Sequence, residues 1–303
     1  MKGPCRIALS GKGGTGKTTI AALLVQALIG AGEAPVLAVD ADPNANLHEA
    51  LGLPLGETLG SMREEAFTKA IPPGMTRTGY IGYRFRQVLV ESEGMDLLAM
   101  GRPEGTGCYC FANSLLSEAM ELLTRNYRFV VMDMEAGMEH FSRGTIGIPD
   151  ILLVVTDPGA RGIRTAGRIR NLAITLGIPK EKIFFVINRA GGLEHVAPGN
   201  EPWAAVAGDA SPGNVPGVMV AGVAGGARSG TDKGGGSGAG GEGRPGEPLL
   251  DPSRILASIP DDPEVERADL GARPIVSIPG GSPARQAVAG LAGRVRSLCG
   301  GGG

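Results

Sequence analysis

Cysteine is scarce in this chain, with four among 303 residues. Four cannot frame a chain of this length with disulfides, so a reducing compartment is expected, with metal or redox work the better use for a thiol. An excess of charge is lacking too. Twenty-nine Lys and Arg oppose 31 Asp and Glu, for a formal net charge of −2. That gives no support for a nucleic-acid partner held by bulk charge. No run approaches the roughly 18 apolar residues that span a bilayer. The opening MKGPCRIALSGKGG lacks the apolar stretch of a signal peptide. The expectation is a soluble, cytoplasmic protein.

Glycine, by contrast, is abundant at 51 residues, and it is unevenly spread. Residues 190–250 hold 18 Gly and 6 Pro. The stretch TDKGGGSGAGGEGRPGEP has no hydrophobic period of either kind, so it cannot bury enough apolar surface to offset its ordering entropy. Residues 192–249 are expected to be a mobile insertion, with Trp203 inside it, and 300–303 a disordered tail. The remaining length suits one domain running through 1–303.

Outside the insertion, strand and helix patterns alternate. CRIALS (5–10), APVLAVD (34–40), MDLLAMG (95–101), RFVVMDM (128–134), ILLVVTD (151–157), KIFFVIN (182–188) and RILASIP (254–260) are short and nearly uniformly apolar. That is the pattern of parallel strands buried on both faces. Helical spacing appears at 17–31, 111–126, 160–176 and 283–298. The predicted fold is α/β, a doubly wound and mostly parallel sheet. Functional loops should gather at the C-terminal ends of its strands.

Gly11-Lys12-Gly13-Gly14-Thr15-Gly16-Lys17-Thr18 fits the phosphate-loop pattern G-x-x-x-x-G-K-[ST], with a strand before it and a helix after it. Glycines there let backbone N–H groups curl around phosphates. The helix N-terminus adds partial positive charge. Lys17 is expected at the β- and γ-phosphates, and the Thr18 hydroxyl at Mg²⁺. With Thr19, this segment makes ATP and Mg²⁺ the expected cofactors.

The second lysine, Lys12, gives K-G-G-x-G-K-[ST], which resembles the deviant Walker A ATPases. That class includes the septum-site protein MinD, the partition protein ParA and the nitrogenase iron protein. The resemblance implies a homodimer in which Lys12 reaches the phosphates of the other subunit's ATP. It implies that Asp42, in Val39-Asp40-Ala41-Asp42-Pro43-Asn44, orients or activates the attacking water. Asp40 would support the Mg²⁺ shell, and Asp133 would be the Walker B carboxylate that holds Mg²⁺ through water. Asn188-Arg189 matches the adenine-side loop of the class. Ile259-Pro260-Asp261-Asp262-Pro263 looks like its second adenine-side loop, through Pro260 and Asp262.

Cys108 and Cys110 follow the strand at 95–101 and are one residue apart. In an extended segment their side chains point the same way. Two thiolates underfill a metal shell, whereas a two-fold dimer supplies four, which suits Zn²⁺ or Ni²⁺. The bland alternative is two small buried hydrophobes. Cys5 opens the first strand and is expected to be buried, and Cys299 is expected to lie in the frayed tail. The flanks, GRPEGTGCYCFAN and then Asp133-Met134-Glu135-Ala136-Gly137-Met138-Glu139-His140-Phe141-Ser142-Arg143, look like the nickel-insertion accessory ATPases of carbon monoxide dehydrogenase, the CooC type. That resemblance implies a dimeric, ATP-hydrolysing metallochaperone that inserts nickel into carbon monoxide dehydrogenase or acetyl-CoA synthase, so its partner is expected to be carbon monoxide dehydrogenase or a related nickel enzyme.

Two rivals stand beside it. A positioning ATPase like MinD or ParA would need a membrane-binding C-terminus or a basic DNA face. Residues 283–299 carry three arginines and many Ala and Gly, a poor bilayer anchor. An iron–sulfur electron-transfer ATPase would need a cysteine in each of two separate loops, and Asp133–Arg143 contains none.

Overall fold

The computed structural model describes residues 3–62, 71–101, 120–121, 123–135, 147–191 and 250–300. The expected insertion at 192–249, the pair Cys108 and Cys110, and His140 lie outside the described residues.

Seven apolar runs become seven parallel strands of one sheet. These are β1 (Cys5–Gly11), β2 (Val36–Ala41), β4 (Met95–Ala99), β5 (Phe129–Met134), β6 (Ile151–Thr156), β7 (Ile183–Asn188) and β8 (Ile255–Ile259). A short β3 (Val90–Ser92) pairs antiparallel with β4 at one edge. The order is β3-β4-β2-β5-β1-β6-β7-β8. Every residue of β2, β5, β6 and β7 is buried, as strands covered on both faces must be.

The two faces carry separate apolar layers. Ile7 and Leu9 of β1 point to one side, among α1 (Lys17–Gly30) and α6 (Pro283–Gly300). Ala8 points to the other, among Phe85 of α3 (Arg77–Gln87) and Ile163, Ala166 and Ile169 of α4 (Ala160–Thr175). Helix α1 buries Ile20, Leu23, Leu24, Val25 and Leu28 around its circumference because it lies between the sheet and α6. The doubly wound expectation therefore holds. The sequence reading did not include β3, α3, the five-residue α2 (Leu47–Leu51) or α5 (Pro263–Leu270).

One expectation is corrected. Cys299 lies in the last turn of α6, not in a frayed tail, and Gly300 is still helical. Cys299 forms a disulfide with Cys5, the two Cα atoms 5.9 Å apart. The physical reason is topological. Helix α6 runs back across the sheet, so its C-terminus meets the N-terminal end of β1. Charges at this end are paired as well. The buried Glu33 carboxylate meets Arg128 Nη1 at 2.5 Å and Arg296 Nε at 2.7 Å.

Candidate nucleotide site

At the opposite end of the strands, β1 runs out at Gly11 and the chain turns into α1 through 12–16. The Lys12 carbonyl closes this turn. It accepts from Thr15 Oγ1 at 2.8 Å and from Thr15 N at 3.3 Å, and Lys17 Nζ lies 3.4 Å away. The Lys17 side chain is therefore folded inside the loop, 8 % exposed, while Lys12 is exposed.

Two glycines are fixed by the protein itself. A Cβ on Gly11 would collide with the Val155 carbonyl of β6. Gly16 has φ +87°, and a Cβ there would collide with the Asn188 amide. Gly13 and Gly14 differ, because open space lies where their Cβ atoms would stand. No side chain caps α1 at Gly16. The first amides of α1 thus point into an open, glycine-lined concavity, the geometry that receives phosphate oxygens.

Beneath the loop, Thr18 Oγ1 donates to Asp133 Oδ2 at 2.6 Å. Asp133, next to last in β5, lies beside Asp40 of β2, its register partner. Both carboxyls are buried, 2 % and 1 % exposed. Burial pushes Asp133 up to about 7, with the nearby Asp40 adding to it against the Thr18 hydrogen bond. Burial likewise pushes Asp40 up to about 6. Asp133 Oδ1 is buried without a hydrogen-bond partner. A lone buried carboxylate oxygen beside a threonine hydroxyl fits a water-shelled Mg²⁺, and positive charge there would restore both carboxyls to their ionised forms.

Asp40 also does local work that the sequence did not reveal. Its Oδ1 accepts from Asp42 N at 3.1 Å and its Oδ2 from Leu47 N at 2.8 Å. The loop carrying Asp42 is therefore folded around Asp40. Asp42 itself is half-buried and accepts from Asn44 N at 2.8 Å, leaving its other oxygen directed by a tight Asx turn. Thr19 lies in the first turn of α1, half-buried.

The expected adenine-side residues come to the same end of the sheet. Asn188 ends β7 opposite Ile259 of β8. Its amide reaches across β6 to donate to the Thr15 carbonyl at 2.8 Å. Arg189 is exposed with φ +55°, and Ala190 N donates to the Ile259 carbonyl at 2.9 Å. Pro260 is half-buried in the adjoining loop. Asp262 has a structural occupation. Oδ1 caps α5 through Glu264 N at 2.9 Å, and Oδ2 accepts from Ala284 N at 2.9 Å and from the Ser282 hydroxyl. Burial raises its pKa, but these bonds outweigh that and hold it below the usual carboxylate range. Among the described residues no group of three or more His, Cys, Asp or Glu is arranged to hold a metal. Among the same residues no helix is long and apolar enough to cross a membrane.

A phosphate loop on β1, a threonine–aspartate pair below it and an asparagine bridging from β7 define a nucleotide-binding architecture. Residues 7–216 match the CbiA family, the CobQ/CobB/MinD/ParA nucleotide binding domain. The chain belongs to this family. Within the CbiA family it is 45% identical over 187 residues to a protein of Methanocaldococcus jannaschii called an uncharacterized ATP-binding protein, covering 60% of this chain and 74% of that one. It is 40% identical over 189 residues to the carbon monoxide dehydrogenase accessory protein CooC of Rhodospirillum rubrum, covering 57% and 70%. Its fold is similar to that of the septum site-determining protein MinD of Pyrococcus horikoshii, solved with Mg-ADP, at a TM-score of 0.61 and 22% identity over 98% of each chain. Like the MinD and ParA ATPases of the CbiA family, this chain is an ATPase.

Proposed function

We propose that this ATPase works as a homodimer that loads nickel into carbon monoxide dehydrogenase or a related nickel enzyme. The contact between Thr18 and Asp133 beneath an open glycine cradle supports the nucleotide half. The amides of 13–18 and Lys17 bind the β- and γ-phosphates. Thr18, Asp133 and, through the loop it organises, Asp40 provide the oxygen-rich setting for Mg²⁺, which when bound neutralises developing phosphate charge. Asp42 aligns the attacking water, and the exposed Lys12 extends to the neighbouring subunit's nucleotide. Asn188, Arg189 and Pro260 flank the base, while Asp262 holds the loop that carries Pro260.

The cargo half of the reading rests on GRPEGTGCYC and on the likeness to CooC. Cys108 and Cys110 of each subunit present four thiolates to Ni²⁺ as substrate, with Zn²⁺ as the competing ion. Hydrolysis reopens the dimer and releases the ion. Metal analysis of the nickel-loaded protein tests this. Cys108→Ala with Cys110→Ala should abolish stoichiometric nickel, and unchanged metal content would overturn the cargo reading while leaving the ATPase intact. A positioning role like that of MinD is the second reading, favoured by the shared fold. ATP-dependent sedimentation with vesicles, absent nickel binding, would establish it instead.

A further inference from the structure

Helix α4 leaves the sheet after β6, the strand beside the phosphate-loop strand. Its sequence, ARGIRTAGRIRNLAIT, holds four arginines and no acidic residue. Gly162, Ile163, Ala166, Ile169 and Ala173 face the core. Arg161, Arg164 and Arg168 are exposed on the opposite side, at spacings of three and four that place them along one stripe. The stripe continues to Leu172, 38 % exposed. None of the three arginines has an ion pair among the described residues.

For the isolated chain this arrangement is unfavourable twice over. Arg161 stands in the first turn, where the helix dipole already presents positive charge. Arg161 with Arg164, and Arg164 with Arg168, are like-charge neighbours one turn apart. An anionic partner relieves both repulsions at once. The three guanidiniums span only about 10 Å along the axis at 1.5 Å per residue, and an apolar leucine extends the row. A long polyanion is matched by longer basic tracks, and the chain as a whole carries net −2. Paired carboxylates next to an apolar side chain match this row in both size and chemistry.

We propose that the outer face of α4, through Arg161, Arg164, Arg168 and Leu172, docks an acidic surface on a partner protein. The inference does not depend on what the ATPase delivers. The test is fluorescence anisotropy of a labelled peptide of Glu-Glu-Leu repeats titrated with the full chain. Wild type should bind it with micromolar affinity that weakens as salt rises. Arg161→Gln with Arg164→Gln and Arg168→Gln should weaken binding at least ten-fold, and Leu172→Ala about three-fold, with ATP turnover unchanged in both. The triple variant should also melt about 1–3 °C higher, since it sheds the repulsions. If that variant fails to fold, Arg164→Gln with Arg168→Gln should show the same direction of change. Equal peptide binding by wild type and variants, no binding by wild type, or a lowered melting temperature would overturn the proposal. So would tighter binding of a random-sequence DNA duplex or a phosphatidylserine vesicle than of the peptide, which would assign the stripe to that other class.

Discussion

The two ends of the sheet treat buried charge in opposite ways. At the N-terminal end, Glu33 is enclosed by Arg128 and Arg296, and Cys5 is bonded to Cys299. At the C-terminal end, Asp40 and Asp133 are as deeply buried, yet they stand side by side in register and Asp133 Oδ1 has no hydrogen-bond partner. A protein that paired its charges merely for stability would do so at both ends. The end left incomplete is the end with the glycine cradle, so unmet electrostatic demand marks where a ligand belongs. The end whose buried carboxylate is ion-paired to two arginines holds the scaffold on which that demand is maintained.

This contrast can be broken from either side. The largest effect should come from Lys17→Ala, which removes the cation proposed to meet developing phosphate charge. ATP turnover should fall by about 10²–10³, with the melting temperature nearly unchanged. A large loss of stability there would mean that the loop lysine belongs to the scaffold. Cys5→Ser should do the reverse, lowering the stability of oxidised protein by about 2–4 kcal/mol and leaving turnover alone. Added reductant should abolish the difference between variant and wild type in denaturant titrations.

Glu33→Ala should cost about 1–2 kcal/mol, below the range for a wholly buried pair because Arg128 and Arg296 retain water. ATP hydrolysis should again be spared. The finest test is pH. Without nucleotide, the Asp133 carboxyl keeps its proton up to about 7 against an ordinary value of 3.8. The native state therefore holds a proton that the unfolded chain has lost. Stability from this group is fully present below about 4 and fades as pH rises through 7. Asp133→Asn has no such proton to lose, so the variant should gain on wild type between those limits. Parallel stability curves would contradict the buried, protonated state described for Asp133 without nucleotide.

Much of this was legible in the sequence, because local pattern dictates it. Uniform apolar runs gave the seven parallel strands, and the phosphate loop was visible from the spacing of Gly11, Gly16, Lys17 and Thr18. The edge strand β3 was not, since Val90–Ser92 is too short to show a period and is covered on few sides. Nor was the bridge from Asn188 to Thr15, which depends on β7 lying two strands from β1. Asp262 illustrates another limit. Its Asp-Pro context announces a helix start, yet its second bond, to the N-terminus of α6, exists only because α5 and α6 begin side by side. The Cys5–Cys299 bond joins residues 294 apart, and no local pattern carries that information. Composition argued against it, because a count of cysteines says nothing about which two the fold brings together.

That bond also changes what kind of object the chain is. With residue 5 tied to residue 299, the oxidised polypeptide is covalently a ring over that span. One proteolytic cut anywhere in the ring would leave a single molecule, heavier by one water, which separates into two pieces only on reduction. Unfolding without reductant would release a loop rather than a thread. A machine that pulls proteins through a narrow pore from one end would have to admit two strands of this chain abreast.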